Sequence, residues 1–268
     1  MEKESAKLST KLIRALIGIL AVCLITVVLF PELIPREKYV AVANDFDEPP
    51  AGSLRVLFVG NSHLFHRDVP HMVQRLVPKD ARPLAFDALL SPGKWLGWHV
   101  AEGDVQRLGQ QNRYDVLILQ PQSTELIERP EEARAAVEKL SSYTAGARPI
   151  LMQTWPRDPT RDAWTKGLGI SRAEWNVLTA KNAASDHWEV APVGDVWGCV
   201  QKVSRIDLWD PDGNHSSVAG AYLAALVLYR AIWGPRVSWA PYAPPGLPAS
   251  VAAPMREAAK KCLDARPR

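Results

Sequence analysis

Only three cysteines occur in 268 residues, and none of them stands with histidines at zinc-ligand spacing. A structural metal is therefore not expected. Cys23 falls inside an apolar run. The other two, Cys199 and Cys262, could pair in an oxidising compartment. Net charge is scarce as well, since 32 Lys and Arg against 29 Asp and Glu leave a formal +3. Beyond the N-terminus no long Lys/Arg run occurs, so the electrostatic footprint of a nucleic-acid binder is missing and no nucleic-acid partner is expected. Internal repeats and low-complexity blocks are also lacking, which excludes solenoids and fibrous arrays. Apolar residues are plentiful at 47% of the chain, enough for one sizeable core.

The first thirty residues differ from the rest. Lys3, Lys7, Lys11 and Arg14 precede the uncharged stretch ALIGILAVCLITVVLF at 15–30. With Leu12 and Ile13 the segment is about long enough to cross a bilayer as a helix. The basic flank favours a cytoplasmic N-terminus with the remainder outside. A cleaved signal peptide is the competing reading, because Ala41-Val42-Ala43 looks like a small-residue cleavage site. That site lies more than ten residues past the apolar run, with Arg36, Glu37 and Lys38 between, so an uncleaved anchor is favoured. The expected organisation is a cytoplasmic N-terminus at 1–11, a transmembrane signal anchor at 12–30 and a proline-containing linker at 31–53. One domain at 54–268 follows, held outside the cytoplasm (in the periplasm of a Gram-negative cell).

From residue 54 short apolar runs alternate with amphipathic ones. Residues 54–60, 83–90, 114–120, 149–155 and 188–197 read as strands, and several are nearly continuous in Val, Ile, Leu and Phe. Strands covered on both faces, as in a parallel sheet, have that character. Helices are predicted near 68–77, 97–109, 130–143, 172–184, 217–232 and 249–263. The alternation predicts a three-layer α/β/α sandwich with a central parallel sheet. In such sheets ligands bind beyond the carboxyl ends of the strands. Ser62, just past the first strand in VGNSH, and Gln120 and Gln122, past the third, fall on that edge.

A serine needs a base to become a nucleophile. Near the C-terminus, DPDGNH places Asp212 three residues before His215, so that a turn would let the carboxylate orient the imidazole. Asp207 and Asp210 are alternative orienting groups. An oxyanion needs donors. The backbone N–H of Ser62, that of Gly93 in SPGKW, and the side-chain amide of Gln122 or Gln120 are candidates. His63 adjoins the serine, where packing and substrate contact are both open. Trp95 and Trp155, at a loop and a strand end, are candidate cleft walls. Asp195 reads as a helix cap, His99 and His187 as structural residues, and His66 and His71 as partly exposed ones.

These four separated pieces resemble the SGNH (GDSL-like) hydrolases, over roughly residues 54–235. VGNSH matches the first block, Gly93 the second, LQPQS the third and the Asp-x-x-His of DGNH the last. A first block with Asn61 in place of aspartate, together with Thr154-Trp155 and PVGDVW, looks like a Gly-Asn-Ser subgroup; the exchange at Asn61 is expected to matter little for the chemistry. The resemblance implies a flavodoxin-like fold, Ser62 as nucleophile, His215 as base and Asp212 as its orienter. The oxyanion donors would be Ser62, Gly93 and Gln122, the last replacing the family's asparagine. No metal or organic cofactor is implied. The expected activity is a serine esterase, with an O-acetylated glycan as substrate. Acyl transfer by the same site and an inactive binding domain are the alternatives.

Overall fold

The computed structural model describes residues 38–235 and 237–266. The segment expected to anchor the chain, 12–30, lies outside them. Among the described residues no helix is long and apolar enough to cross a membrane.

Five strands, β1 (Leu54–Gly60), β2 (Leu84–Leu90), β3 (Val116–Leu119), β4 (Arg148–Met152) and β5 (Glu189–Ala191), form one sheet. All pairs are parallel, in the order β2-β1-β3-β4-β5. The described helices are α1 (Ser62–Phe65), α2 (Val69–Arg75), α3 (Leu96–Glu102), α4 (Asp104–Gln111), α5 (Glu125–Glu128), α6 (Pro130–Tyr143), α7 (Ala163–Leu168), α8 (Arg172–Ala183), α9 (Val193–Val203), α10 (Val218–Trp233) and α11 (Ala249–Asp264).

Continuous apolar strands arise because both sheet faces are covered. Successive side chains of a strand point to opposite faces. Val56 and Phe58 accordingly pack with residues of α2, α9, α10 and α11, while Leu57 and Val59 pack with residues of α3, α4 and α6. This is the expected three-layer α/β/α sandwich. The order reverses between β1 and β3, and the loops after these strands splay apart to open a crevice there.

Three expected boundaries shift. The run 188–197 is not one strand: β5 stops at Ala191, and α9 begins at Val193. Pro192 has no N–H for the ladder. The backbone of Gly194 then passes so close to Thr154 that a Cβ would sit 2.5 Å from its carbonyl oxygen. The helix expected over 97–109 is two, α3 and α4, separated by Gly103 at φ 74°. Finally, residues 39–53, expected as linker, pack on the domain. Val40 N–H donates to the Leu90 carbonyl at 2.8 Å, and the Asn44 amide donates to that of Phe86 at 2.9 Å. Cys199 on α9 and Cys262 on α11 form a disulfide.

Candidate active site

β1 ends at Gly60 because the chain there must run against Gln120; a Cβ on Gly60 would lie 2.6 Å from the Gln120 Oε1. That same oxygen accepts the N–H of Asn61 at 2.8 Å. Asn61 then caps α1 by accepting the N–H of His63 at 3.3 Å. Its amide Nδ2 donates to the Lys94 carbonyl at 3.0 Å. A carboxylate could not make that second bond, so the asparagine has a structural role here. The bracket fixes the turn carrying Ser62 against the loop carrying Gly93.

From the far end of the chain, the segment before α10 folds into a tight loop. Gly213, at φ 70°, lies so close to Arg161 that a Cβ would be 2.7 Å from that residue's Cβ, so only glycine fits. Asp212 Oδ1 accepts the N–H groups of Asn214 and His215, both at 2.9 Å. Its Oδ2 lies 2.6 Å from His215 Nδ1. His215 Nε2 in turn lies 2.9 Å from Ser62 Oγ. Because the carboxylate only accepts, Nδ1 carries the proton and Nε2 presents its lone pair to the serine. Partial burial works against ionisation of Asp212, but the hydrogen bonds from the His215 ring and from two N–H groups outweigh it and hold the carboxyl at about 2.

Ser62, His215, Gly93 and Gln122 line one cleft of about 420 Å³, with Phe65 and Pro92 as apolar walls. Gln122 Oε1 accepts from Thr124 N–H at 2.7 Å and from its hydroxyl at 2.8 Å. That fixes the amide's orientation and leaves its Nε2 donor unengaged among the described residues. The N–H groups of Ser62 and Gly93 likewise donate to nothing among the described residues. Gly93 sits at φ 65°.

Other expected contacts turn out differently. Gln120 is fully buried and lies outside the cleft; besides Asn61, its amide bonds the Pro121 carbonyl. Trp155 is also fully buried. It stacks on Trp197 at 4.6 Å, and its Nε1 donates to the Asn214 carbonyl at 3.0 Å. It thus supports the histidine loop from behind and forms no wall. Trp95 lies under the Arg129 guanidinium, 4.5 Å from its ring centre, and is not among the cleft residues. His63 does line the cleft. Its ring packs 4.4 Å from that of Trp155, and burial above all holds it well below 6.5 and therefore neutral. Asp207 pairs with Arg161 at 2.6 Å, and Asp210 pairs with His66 and Arg67, so neither orients His215. Asp195 lies in the first turn of α9 and bonds Gln153 at 2.9 Å and Arg266.

Two features went unread in the sequence. The first is Glu125, 1% exposed. The second is His66, whose position four residues after Ser62 could have flagged it as sharing a helix face. Among the described residues no group of His, Cys, Asp and Glu forms a metal site.

No family model matches the chain, and a search of curated proteins finds no match. Solved structures do resemble it. A candidate SGNH hydrolase from Slackia heliotrinireducens is 26% identical, with a TM-score of 0.59 over 66% of this chain and 98% of its own. A DUF4886 family protein from Bacteroides uniformis is 16% identical, with a TM-score of 0.66 over 80% of this chain and 95% of its own. A catalytic mutant of Axe2, an acetylxylan esterase from Geobacillus stearothermophilus, is 14% identical, with a TM-score of 0.50 over 69% of this chain and 96% of its own.

Proposed function

We propose that this SGNH-type serine hydrolase removes a short acyl group, acetyl above all, from a glycan hydroxyl. The observation that carries the reading is the unbroken sequence of hydrogen bonds from Ser62 Oγ through His215 to Asp212. Three donors on the same cleft, unengaged among the described residues, support it. Ser62 Oγ attacks the ester carbonyl as His215 Nε2 takes its proton, and the oxyanion receives the N–H groups of Ser62 and Gly93 and the Gln122 amide. The alcohol leaves with the proton from His215. Water, deprotonated by the same nitrogen, then releases the acid and restores Ser62. No metal or organic cofactor enters any of these steps.

A cleft of about 420 Å³ suits a short acyl group on a sugar better than a long lipid chain. The fold shared with an acetylxylan esterase is in keeping with an acylated glycan. We place the domain outside the cytoplasm, held by the apolar segment at 12–30. The Cys199–Cys262 disulfide favours an oxidising compartment.

The test is a fluorophosphonate probe applied to the full-length chain in detergent, with the modified residue mapped by mass spectrometry. Labelling at Ser62 that vanishes in His215→Ala is the expected result. Well-folded protein that takes no label would instead mean a binding domain on this fold.

A further inference from the structure

A second histidine–carboxylate pair stands beside the first. His66 follows Ser62 by one helical turn, its N–H donating to the Ser62 carbonyl at 2.9 Å. That spacing brings its ring to the cleft, 4.7 Å from the ring of His215. Its Nε2 lies 2.6 Å from Asp210 Oδ2. Asp210 is itself fixed: Arg67 Nη2 donates to both its oxygens at 2.9 Å, and its backbone N–H donates to the His215 carbonyl at 2.9 Å. The second pair is thus tied to the loop that carries the first.

The ring hydrogen-bonded to Ser62 Oγ is that of His215, and His66 is engaged with Asp210 instead, so it is no alternative base. Its placement points instead to the leaving group. His215 Nε2 must return its proton to the departing alcohol oxygen, so the alcohol half of the ester lies against the face that His66 shares. In the neutral ring, an Nε2–H given to a carboxylate leaves a lone pair on Nδ1, and no hydrogen bond to that atom occurs among the described residues. Two oxygens on adjacent ring carbons stand about 2.8 Å apart, the length of a hydrogen bond. An acceptor next to His215 is therefore within reach of the neighbouring hydroxyl.

We propose that His66, positioned by Asp210 and Arg67, accepts a hydrogen bond from a free hydroxyl vicinal to the ester oxygen. The preferred substrate is then a monoacyl ester of a vicinal diol, such as a sugar ring acylated at one position and free at the next. The inference rests on the hydrolase reading above and names the substrate class of that site. His66 takes no proton from the substrate, and the chemistry stays with Ser62 and His215.

The experiment uses the full-length chain with a panel of positional monoacetyl methyl glycosides, each paired with its analogue deoxygenated at the neighbouring carbon. For the best-cleaved isomer, kcat/KM should exceed that of the deoxy analogue about tenfold in the wild type. In His66→Phe the ratio should fall to near one, and His66→Gln, which keeps an acceptor, should restore part of it. A panel in which no isomer outruns its deoxy analogue overturns the proposal, as does a ratio that survives in His66→Phe. 4-Nitrophenyl acetate, which has no neighbouring hydroxyl, separates the two claims. If Ser62-dependent cleavage of this ester is absent, the hydrolase reading fails. If it is present while the ratio is near one, only the role of His66 fails.

Discussion

The Glu125 carboxylate accepts the backbone N–H of Leu96 with its two oxygens at 3.0 and 3.2 Å, joining loops that carry Gly93 and Gln122. The same carboxylate takes the N–H of Gln122 at 2.7 Å. Two of the three candidate oxyanion donors are therefore braced by one buried acid. Burial pushes Glu125 up from 4.5 to about 7, although the N–H groups of Gln122 and Leu96 pull it back.

That rise sets a pH dependence. Between about 4.5 and 7 the folded chain holds a proton that the unfolded chain has released, so this residue's contribution to stability falls as pH rises. With each unit of pKa equivalent to about 1.4 kcal/mol, the full loss is about 3 kcal/mol. Urea unfolding at pH 4.5 and pH 8 should show the wild type losing about that much relative to Glu125→Gln. A gap that stays constant would place the carboxyl at an ordinary pKa.

The proposed triad makes a graded prediction. Ser62→Ala and His215→Ala should each lower kcat on the order of 10⁶-fold, and Asp212→Asn on the order of 10⁴-fold. An asparagine at 212 donates to Nδ1, which forces the proton onto Nε2 and turns the wrong tautomer toward Ser62. Stopped assays with 4-nitrophenyl acetate give the ranking. If Asp210→Asn or Asp207→Asn proved as damaging as Asp212→Asn, the orienting carboxylate would be misassigned. Because the folded pKa of Asp212 is depressed to about 2, its favourable contribution is present above its ordinary value and lost as pH falls toward 2.

Some of this was legible in the chain and some was not, for physical reasons. The strands were readable because burial on both faces leaves a nearly continuous apolar signature, as in LRVLFVG, where only Arg55 interrupts. The Asp212–His215 contact was readable because it is local, three residues across a turn. VAPVGDVW misled because a short apolar run fits a strand or a helix equally; Pro192 and the close approach of Gly194 to Thr154 decide it. Gln120 and Gln122 look alike in LQPQS, yet Asn61 draws one inward while Thr124 turns the other's amide outward. Trp155 faces inward because Trp197 and the Asn214 carbonyl receive it, and both come from distant segments. Glu125 has backbone partners only, and a backbone N–H leaves no trace in a sequence.

The disulfide between α9 and α11 spans 63 residues of chain. Closing a loop of that length restricts the unfolded ensemble by about 4 kcal/mol. Reduction, or Cys199→Ser with Cys262→Ser, should lower the urea midpoint accordingly and raise the slope of the transition, because the unbridged unfolded chain is less compact. Equal midpoints with and without reductant would mean that the thiols are not joined in the purified protein.

Asn61 gives the sharpest test of whether the Ser62 turn and the Gly93 loop act as one unit. Asn61→Asp keeps the oxygen that caps α1 by accepting the His63 N–H. It replaces the Nδ2 donor, 3.0 Å from the Lys94 carbonyl, with an oxygen that repels it. Asn61 is 1% exposed, so water cannot substitute freely, and a lost buried hydrogen bond with an unpaired acceptor costs about 1–3 kcal/mol. If that energy holds the Gly93 N–H in line with the oxyanion, kcat should fall about tenfold or more with KM little changed, because the donor acts in the transition state. Steady-state kinetics on 4-nitrophenyl acetate read both constants. A variant that loses stability yet keeps its kcat would show that the Lys94 contact serves the fold alone, and that the Gly93 loop is positioned by Glu125 without help from Asn61.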